Sequence, residues 1–208
     1  MNMSNKIILI GILVLSLSAI LAGMLSQLRS GGTSNPSLIA VTDDAFGGPF
    51  SLTNHLGQKT TEKNFENSYR LMYFGFTFCP AICPTELSKI TAALNSMDKE
   101  LAAQVTPIFV TVDPERDTVE KLKPYVEMFH PSLVGLTGTP DEIKDMLKTF
   151  KVYAAKVDDP ALSEYTVDHS SFIYFIAPDG RLLHIFKMED KADIMASVMT
   201  SWISQTQQ

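Results

Sequence analysis

The chain predicts an α/β domain, a mixed sheet flanked by helices, preceded by one N-terminal transmembrane helix. Three observations predict it. Apolar runs of strand length alternate with segments of helical periodicity. A Pro-Asp-Gly turn at 178–180 joins two further apolar runs as a hairpin. Ile7 to Leu25 carries no charge and is almost wholly apolar, close to the roughly 20 residues that a membrane-spanning helix needs.

The elements follow in order. Residues 1–6 form a short leader before the anchor at 7–25, and 26–37, rich in Ser and Gly, read as a flexible tether. Residues 38–208 read as the folded domain. Phe50 to Phe65 alternates around Gly57 and suggests an opening hairpin. Leu71 to Phe78 is a buried-type strand by its aromatic and apolar content. Pro84 opens a helix to about Lys99, since proline loses nothing at a first helical position, and Leu87, Ile90, Leu94 and Met97 recur at helical spacing. Val105 to Val112 is a second strand. Asp113 to Arg116 is a loop, and Asp117 caps the next helix, with Glu120 completing a capping-box pattern; that helix runs to about His130. A short strand at Leu133–Leu136 precedes a helix from Thr139-Pro140 to Phe150. Ser171–Ala177 and Arg181–Phe186 form the hairpin, and Asp190 to about Ser204 closes as a helix.

Composition excludes little. The 208 residues suffice for one domain with a full core, and 45% hydrophobic with 19% charged residues argues against disorder. A net charge of −6 and no basic cluster argue against a nucleic-acid partner.

Cys79 and Cys83 are the only cysteines. They stand in Phe78-Cys79-Pro80-Ala81-Ile82-Cys83-Pro84, where a buried strand gives way to a helix start. As a structural disulfide the pair is a poor staple: closing so short a loop is worth roughly 2 kcal/mol, against about 4.7 for a 100-residue loop. Inert core thiols are disfavoured because Pro80 and Pro84 set a turn that exposes the segment. A helix N-terminus also favours thiolate. Three residues separate the cysteines, not the two of thioredoxin-type oxidoreductases, which lets two sulfurs splay around a metal and still permits disulfide closure. Two thiolates suit Cu(I), and an added imidazole suits both copper oxidation states. Structural zinc would want four protein ligands.

A third ligand must come from His55, His130, His169 or His184. His184 alternates within a hairpin strand, His130 ends a helix, and His55 lies beside a turn. His169, in Val167-Asp168-His169-Ser170-Ser171, immediately precedes an apolar strand. In thioredoxin-like folds the loop before that strand packs against the cysteine loop, so His169 would face the thiols. Asp168 either orients its imidazole as a hydrogen-bond acceptor or is a solvated loop carboxylate.

Three segments together resemble the Sco/SenC family: Tyr73 to Leu87 around the cysteines, Val112-Asp113-Pro114-Glu115-Arg116-Asp117-Thr118, and Val167 to Ser171. The resemblance covers most of the chain after the tether. It implies a membrane-tethered thioredoxin-like domain that binds copper through two cysteines and one histidine, roles that fall on Cys79, Cys83 and His169. It further implies copper delivery to, or thiol reduction at, the binuclear copper site of cytochrome c oxidase subunit II. Ala81 departs from the acidic residue of many members, and Phe186-Lys187-Met188 departs from a Gly-Gln-Asn-like segment of some.

Arg116 and its neighbouring acids read as a partner-docking or sheet-edge feature near the site, or as a capped helix start with a local ion pair. A copper-binding assembly factor is the first expectation. A thiol–disulfide oxidoreductase with Cys79 and Cys83 as its redox-active pair is the second. A peroxiredoxin, suggested by Cys83-Pro84-Thr85-Glu86, lacks the threonine expected where Pro80 stands, and a purely structural interaction module is a further outlier. A cleaved signal peptide is the alternative to the anchor, but its apolar core would be shorter, about 7–15 residues. An uncleaved anchor places the domain on the periplasmic face of a bacterial inner membrane.

Overall fold

The structure, a computed structural model, describes residues 46–158 and 164–206. The anchor and tether predicted over 7–37 lie outside these residues. Among the described residues no helix is long and apolar enough to cross a membrane.

One mixed sheet organises the domain, in the order β2-β1-β5-β4-β3-β8-β9. The opening hairpin forms as expected: β1 (Ser51–Asn54) pairs antiparallel with β2 (Lys59–Thr61), and Gly57 supplies the positive φ of 79° its turn requires. A 3-10 turn over Glu62–Phe65 leads to β3 (Tyr69–Gly75), which is buried along its whole length and therefore covered on both faces. β4 (Val105–Thr111) and β5 (Val134–Thr137) run parallel to it. β8 (Ile173–Ile176) pairs antiparallel with the other edge of β3, and β9 (Leu182–Phe186) continues the hairpin.

Among the described residues five helices accompany the strands: α1 (Ile82–Ser96), the one-turn α2 (Lys99–Ala102), α3 (Val119–Val126), α4 (Pro140–Thr149) and α5 (Ala192–Gln205). α1 and α5 pack against each other, and α3 packs on β5. α4 opens with the capping box of Thr139 and Glu142.

The remaining strands differ from expectation. β6 (Ala154–Val157) and β7 (Thr166–His169) form a separate two-stranded antiparallel sheet. The sequence pattern predicts no strand over this segment, and His169 ends β7 rather than lying in a loop. Boundaries moved as well. β3 stops at Gly75, not Phe78, and α1 begins at Ile82, so Cys83 lies inside its first turn. α3 ends at Val126, not His130. Its N-cap is Thr118, not Asp117. The Asp117 carboxylate is fully buried and taken by stronger donors across the sheet: Thr77 N at 3.0 Å, Thr77 Oγ1 at 2.5 Å and Thr111 Oγ1 at 2.6 Å.

Candidate metal centre

The end of β3, the start of α1 and the end of β7 meet at one point. After Gly75 the chain turns: Cys79 N donates to the Phe76 carbonyl at 3.3 Å. The turn feeds the first helical residues so that Cys83 N points back at Cys79 Sγ, 3.4 Å away. A helix N-terminus leaves its first N–H groups unpaired, and here a sulfur takes one of them.

The two thiols are not equivalent. Cys79 is half-buried and Cys83 fully buried. The Cys79 pKa falls to about 5, first because the Cys83 side chain hydrogen-bonds to it; burial opposes this, while the backbone N–H groups of Cys83, Ala81 and Ile82 add to it. The Cys83 thiol is pushed up, by that same bond to Cys79 and then by burial. Cys79 is the thiolate of the reduced pair, and Cys83 holds its proton.

Cys83 Sγ lies 3.7 Å from His169 Nε2. On the far side of the ring Nδ1 is 3.1 Å from the Ser170 carbonyl. A carbonyl can only accept, so Nδ1 carries a proton, and in the neutral imidazole it is the Nε2 lone pair that faces the sulfur. That is the orienting role which sequence reading offered to Asp168; the backbone fills it instead, and Asp168 is exposed. Phe76 and Tyr73 present ring edges to His169 at centroid distances of 5.8 and 6.4 Å.

Two further residues shape the cradle. The Tyr73 hydroxyl, fully buried, donates to Cys83 Sγ at 3.6 Å. A Cβ on Gly75 would stand 2.7 Å from Cys83 Sγ and 2.9 Å from Phe109, so this sulfur reaches its place only over a glycine. Neither was singled out from sequence. Strand alternation, which puts 73 and 75 on one face, was the available signal.

Cys83 thus touches both other donors. Among the described residues no three His, Cys, Asp or Glu side chains stand as a ready-made metal cluster, so the contacts are pairwise. The other histidines are elsewhere: His55 Nδ1 accepts from Gly135 N at 3.1 Å, His130 Nδ1 bonds Ser132 at 2.7 Å, and the His184 ring lies tilted against Phe186 with centroids 4.6 Å apart.

A family model described as SCO1/SenC matches residues 40–204. The mitochondrial SCO1 homolog 1 of Arabidopsis thaliana is 41% identical over 161 residues, 77% of this chain and 48% of that protein. The crystal structure of Arabidopsis thaliana ScoI with copper bound superposes with a TM-score of 0.73 at 41% identity, covering 77% of this chain and 99% of that one. BsSco, described with a disulfide switch and as a member of the Sco family of cytochrome c oxidase assembly proteins, matches with a TM-score of 0.57 at 29% identity, over 76% and 92% of the two chains. The chain spans about half the length of the curated relatives it matches. The thioredoxin-like mixed sheet with its helices is the fold of these Sco structures.

Proposed function

Because the chain belongs to the SCO1/SenC family, we propose that it is a copper-binding assembly factor whose cargo is held by Cys79, Cys83 and His169 and passed to the binuclear copper site of cytochrome c oxidase subunit II or another copper-accepting protein. The observation that carries this is the approach of Cys83 Sγ and His169 Nε2 to 3.7 Å with the imidazole proton fixed on the far nitrogen. The donor set fits the ion. Two sulfurs and one imidazole match copper in either oxidation state, and one of the sulfurs is already a thiolate at neutral pH. Release proceeds by ligand exchange, in which a partner's thiolates displace these donors in turn. The uncharged segment at 7–25 would anchor the domain in a bacterial inner membrane, on the periplasmic side.

A second reading rests on the asymmetry of the thiols. The Cys79 thiolate attacks one sulfur of a partner's disulfide, forming a mixed disulfide and releasing the other sulfur as a thiolate. Cys83, giving up its proton, then attacks Cys79 Sγ. The partner leaves as a dithiol, and this chain holds a Cys79–Cys83 disulfide that an external thiol reductant must reopen.

Copper titration of the anaerobically purified, reduced domain separates the two. Tight uptake of one copper per chain is expected, with strong loss in Cys79→Ala and Cys83→Ala. His169→Ala should weaken binding at least about tenfold, the size seen when even an outer partner of a ligand is lost, while reduction of a disulfide substrate under chelation persists. Full retention of tight copper binding in His169→Ala would remove the histidine from the site.

A further inference from the structure

The loop Asp113–Asp117 is tied to both halves of the centre. On the cysteine side, Asp117 holds the backbone N–H and hydroxyl of Thr77, two residues before Cys79. On the histidine side, the buried Asp113 accepts from the Tyr165 hydroxyl at 2.8 Å. Tyr165 immediately precedes β7, the strand that ends in His169.

Arg116 joins the two sides. Its Nε pairs with Asp113, its Nη1 donates to the Tyr165 carbonyl at 2.9 Å, and Glu164 lies 3.5 Å away. Its guanidinium carbon sits 3.8 Å from the Tyr165 ring centroid, 4.8 Å from Phe78 and 5.8 Å from Phe76. Phe76 and Phe78 belong to the cysteine segment, Tyr165 to the hairpin. One planar cation is therefore stacked between the chain that carries the sulfurs and the chain that carries the imidazole. A helix cap with a local ion pair would need Asp113 alone, and none of these contacts across 49 residues of sequence.

Other contacts also cross here, the Tyr165–Asp113 hydrogen bond at 2.8 Å and the Phe76–His169 ring contact at 5.8 Å, but each joins one pair of residues, whereas Arg116 touches Asp113, Tyr165, Phe76 and Phe78 together. The Lys156–Glu115 pair, 2.6 Å apart, also ties β6 to this loop, but both partners are about half exposed, where such pairs are weak. The bonds between Ser170 and Tyr153 lie within the hairpin and do not fasten it to the cysteines. We propose that Arg116 is a positioning residue for copper binding: it clamps the β6–β7 hairpin to the cysteine segment and so keeps His169 over Cys83. This rests on the copper reading above.

The test uses Arg116→Ala, which removes the clamp, and Arg116→Lys, which keeps a cation for Asp113 but loses the planar fork and the stacking. Two measurements are made on the reduced protein. Amide hydrogen exchange at residues 165–170 without metal should quicken in both variants, more in Arg116→Ala. Cu(I) affinity, by competition with a chelator, should fall about tenfold or more in Arg116→Ala, and less in Arg116→Lys. In a His169→Ala background the same substitutions should cost no further affinity, because the residue they act through is gone. Should Arg116→Ala fail to fold, Arg116→Lys carries the test. Equal losses with and without His169, or unchanged exchange in the hairpin, would overturn the proposal. A wild-type protein that takes up no copper would sink the copper reading, while the exchange arm would still decide whether the clamp exists.

Discussion

The cysteine segment and the histidine hairpin reach the same point by different means. Cys79 and Cys83 are placed by contacts within a few residues: Cys83 N on Cys79 Sγ, Cys79 N on the Phe76 carbonyl, Thr85 N on the Ala81 carbonyl at 3.2 Å. His169 is placed by contacts that span the chain, from Tyr165 to Asp113 and Arg116. A locally built donor pair survives most distant changes, whereas a donor held from afar can be loosened without touching the other two. Two fixed sulfurs and one separately tethered imidazole suit a site that must hold an ion and also let it go.

The largest effect expected concerns the local pair by itself. In the metal-free, reduced protein the half-buried Cys79 should react with iodoacetamide far faster than the buried Cys83 near neutral pH. Its rate should fall as pH drops through about 5, where the thiolate takes up its proton. Mass mapping of the labelled cysteine against pH checks this. The sign for stability follows. Cys79 has its pKa lowered on folding, so between about 5 and its ordinary value near 9 the unfolded chain binds more protons, and stability rises with pH. Cys83 is shifted the other way, so its contribution is present below the ordinary thiol pKa and is lost at higher pH. From pH 5 toward pH 8 the reduced domain should therefore gain more resistance to urea than its Cys79→Ala variant does. Cys83 labelling first, or equal labelling, would erase the asymmetry on which the reductant reading rests.

That contrast explains what could be read in advance. β4, α4, the β8–β9 hairpin and α5 were visible because each pairs a clean periodicity with its own stop signal, such as Thr139-Pro140 or Pro178-Asp179-Gly180. The cysteine pair announced itself within one contiguous stretch. β6 and β7 did not, because Ala154–Val157 is only partly buried throughout and Thr166–His169 buries Val167 alone, leaving almost no apolar alternation to detect. Asp117 misled for the opposite reason: locally it looks like a helix cap, and only the fold brings Thr77 and Thr111 to its carboxylate. His169 was identified by its place before an apolar strand, but the roles of Arg116, Tyr165 and the Ser170 carbonyl depend on tertiary contacts that no short motif encodes.

A smaller effect, aimed at the sulfur from the third direction, is expected for Gly75→Ala. The new methyl would meet Cys83 Sγ at 2.7 Å, Phe109 at 2.9 Å and Tyr73 at 3.1 Å, all rigid neighbours in the core. Overpacking of this kind typically costs about 1–3 kcal/mol, measurable by urea unfolding. Copper affinity should fall while hydrogen exchange at 165–170 stays at wild-type rates, unlike the Arg116 variants, in which both change. Slowed or quickened exchange in the hairpin would show that the two regions are not independently placed.

The smallest effect is expected for Tyr73→Phe, which leaves the ring and its packing and deletes one O–H. Both Tyr73 and Cys83 are wholly buried, and this hydroxyl reaches the sulfur on strand β3, opposite in sequence to the imidazole on β7. In the reduced pair the Cys83 sulfur shares its proton with the Cys79 thiolate, and a hydrogen bond to a sulfur carrying part of that charge is stronger than one to a neutral disulfide sulfur, so its loss favours the oxidised pair. A net contribution of about 1 kcal/mol corresponds to roughly 20 mV on a two-electron couple, and the Cys79–Cys83 potential should move down by that order in a glutathione titration. The Cu(II)–thiolate absorption should shift with it, since less charge is drawn from the sulfur, whereas His169→Ala alters copper binding and leaves the dithiol potential nearly in place. A Tyr73→Phe protein with an unmoved potential would mean that the cysteine segment sets its redox chemistry entirely from its own helix start, without help from the strand beneath it.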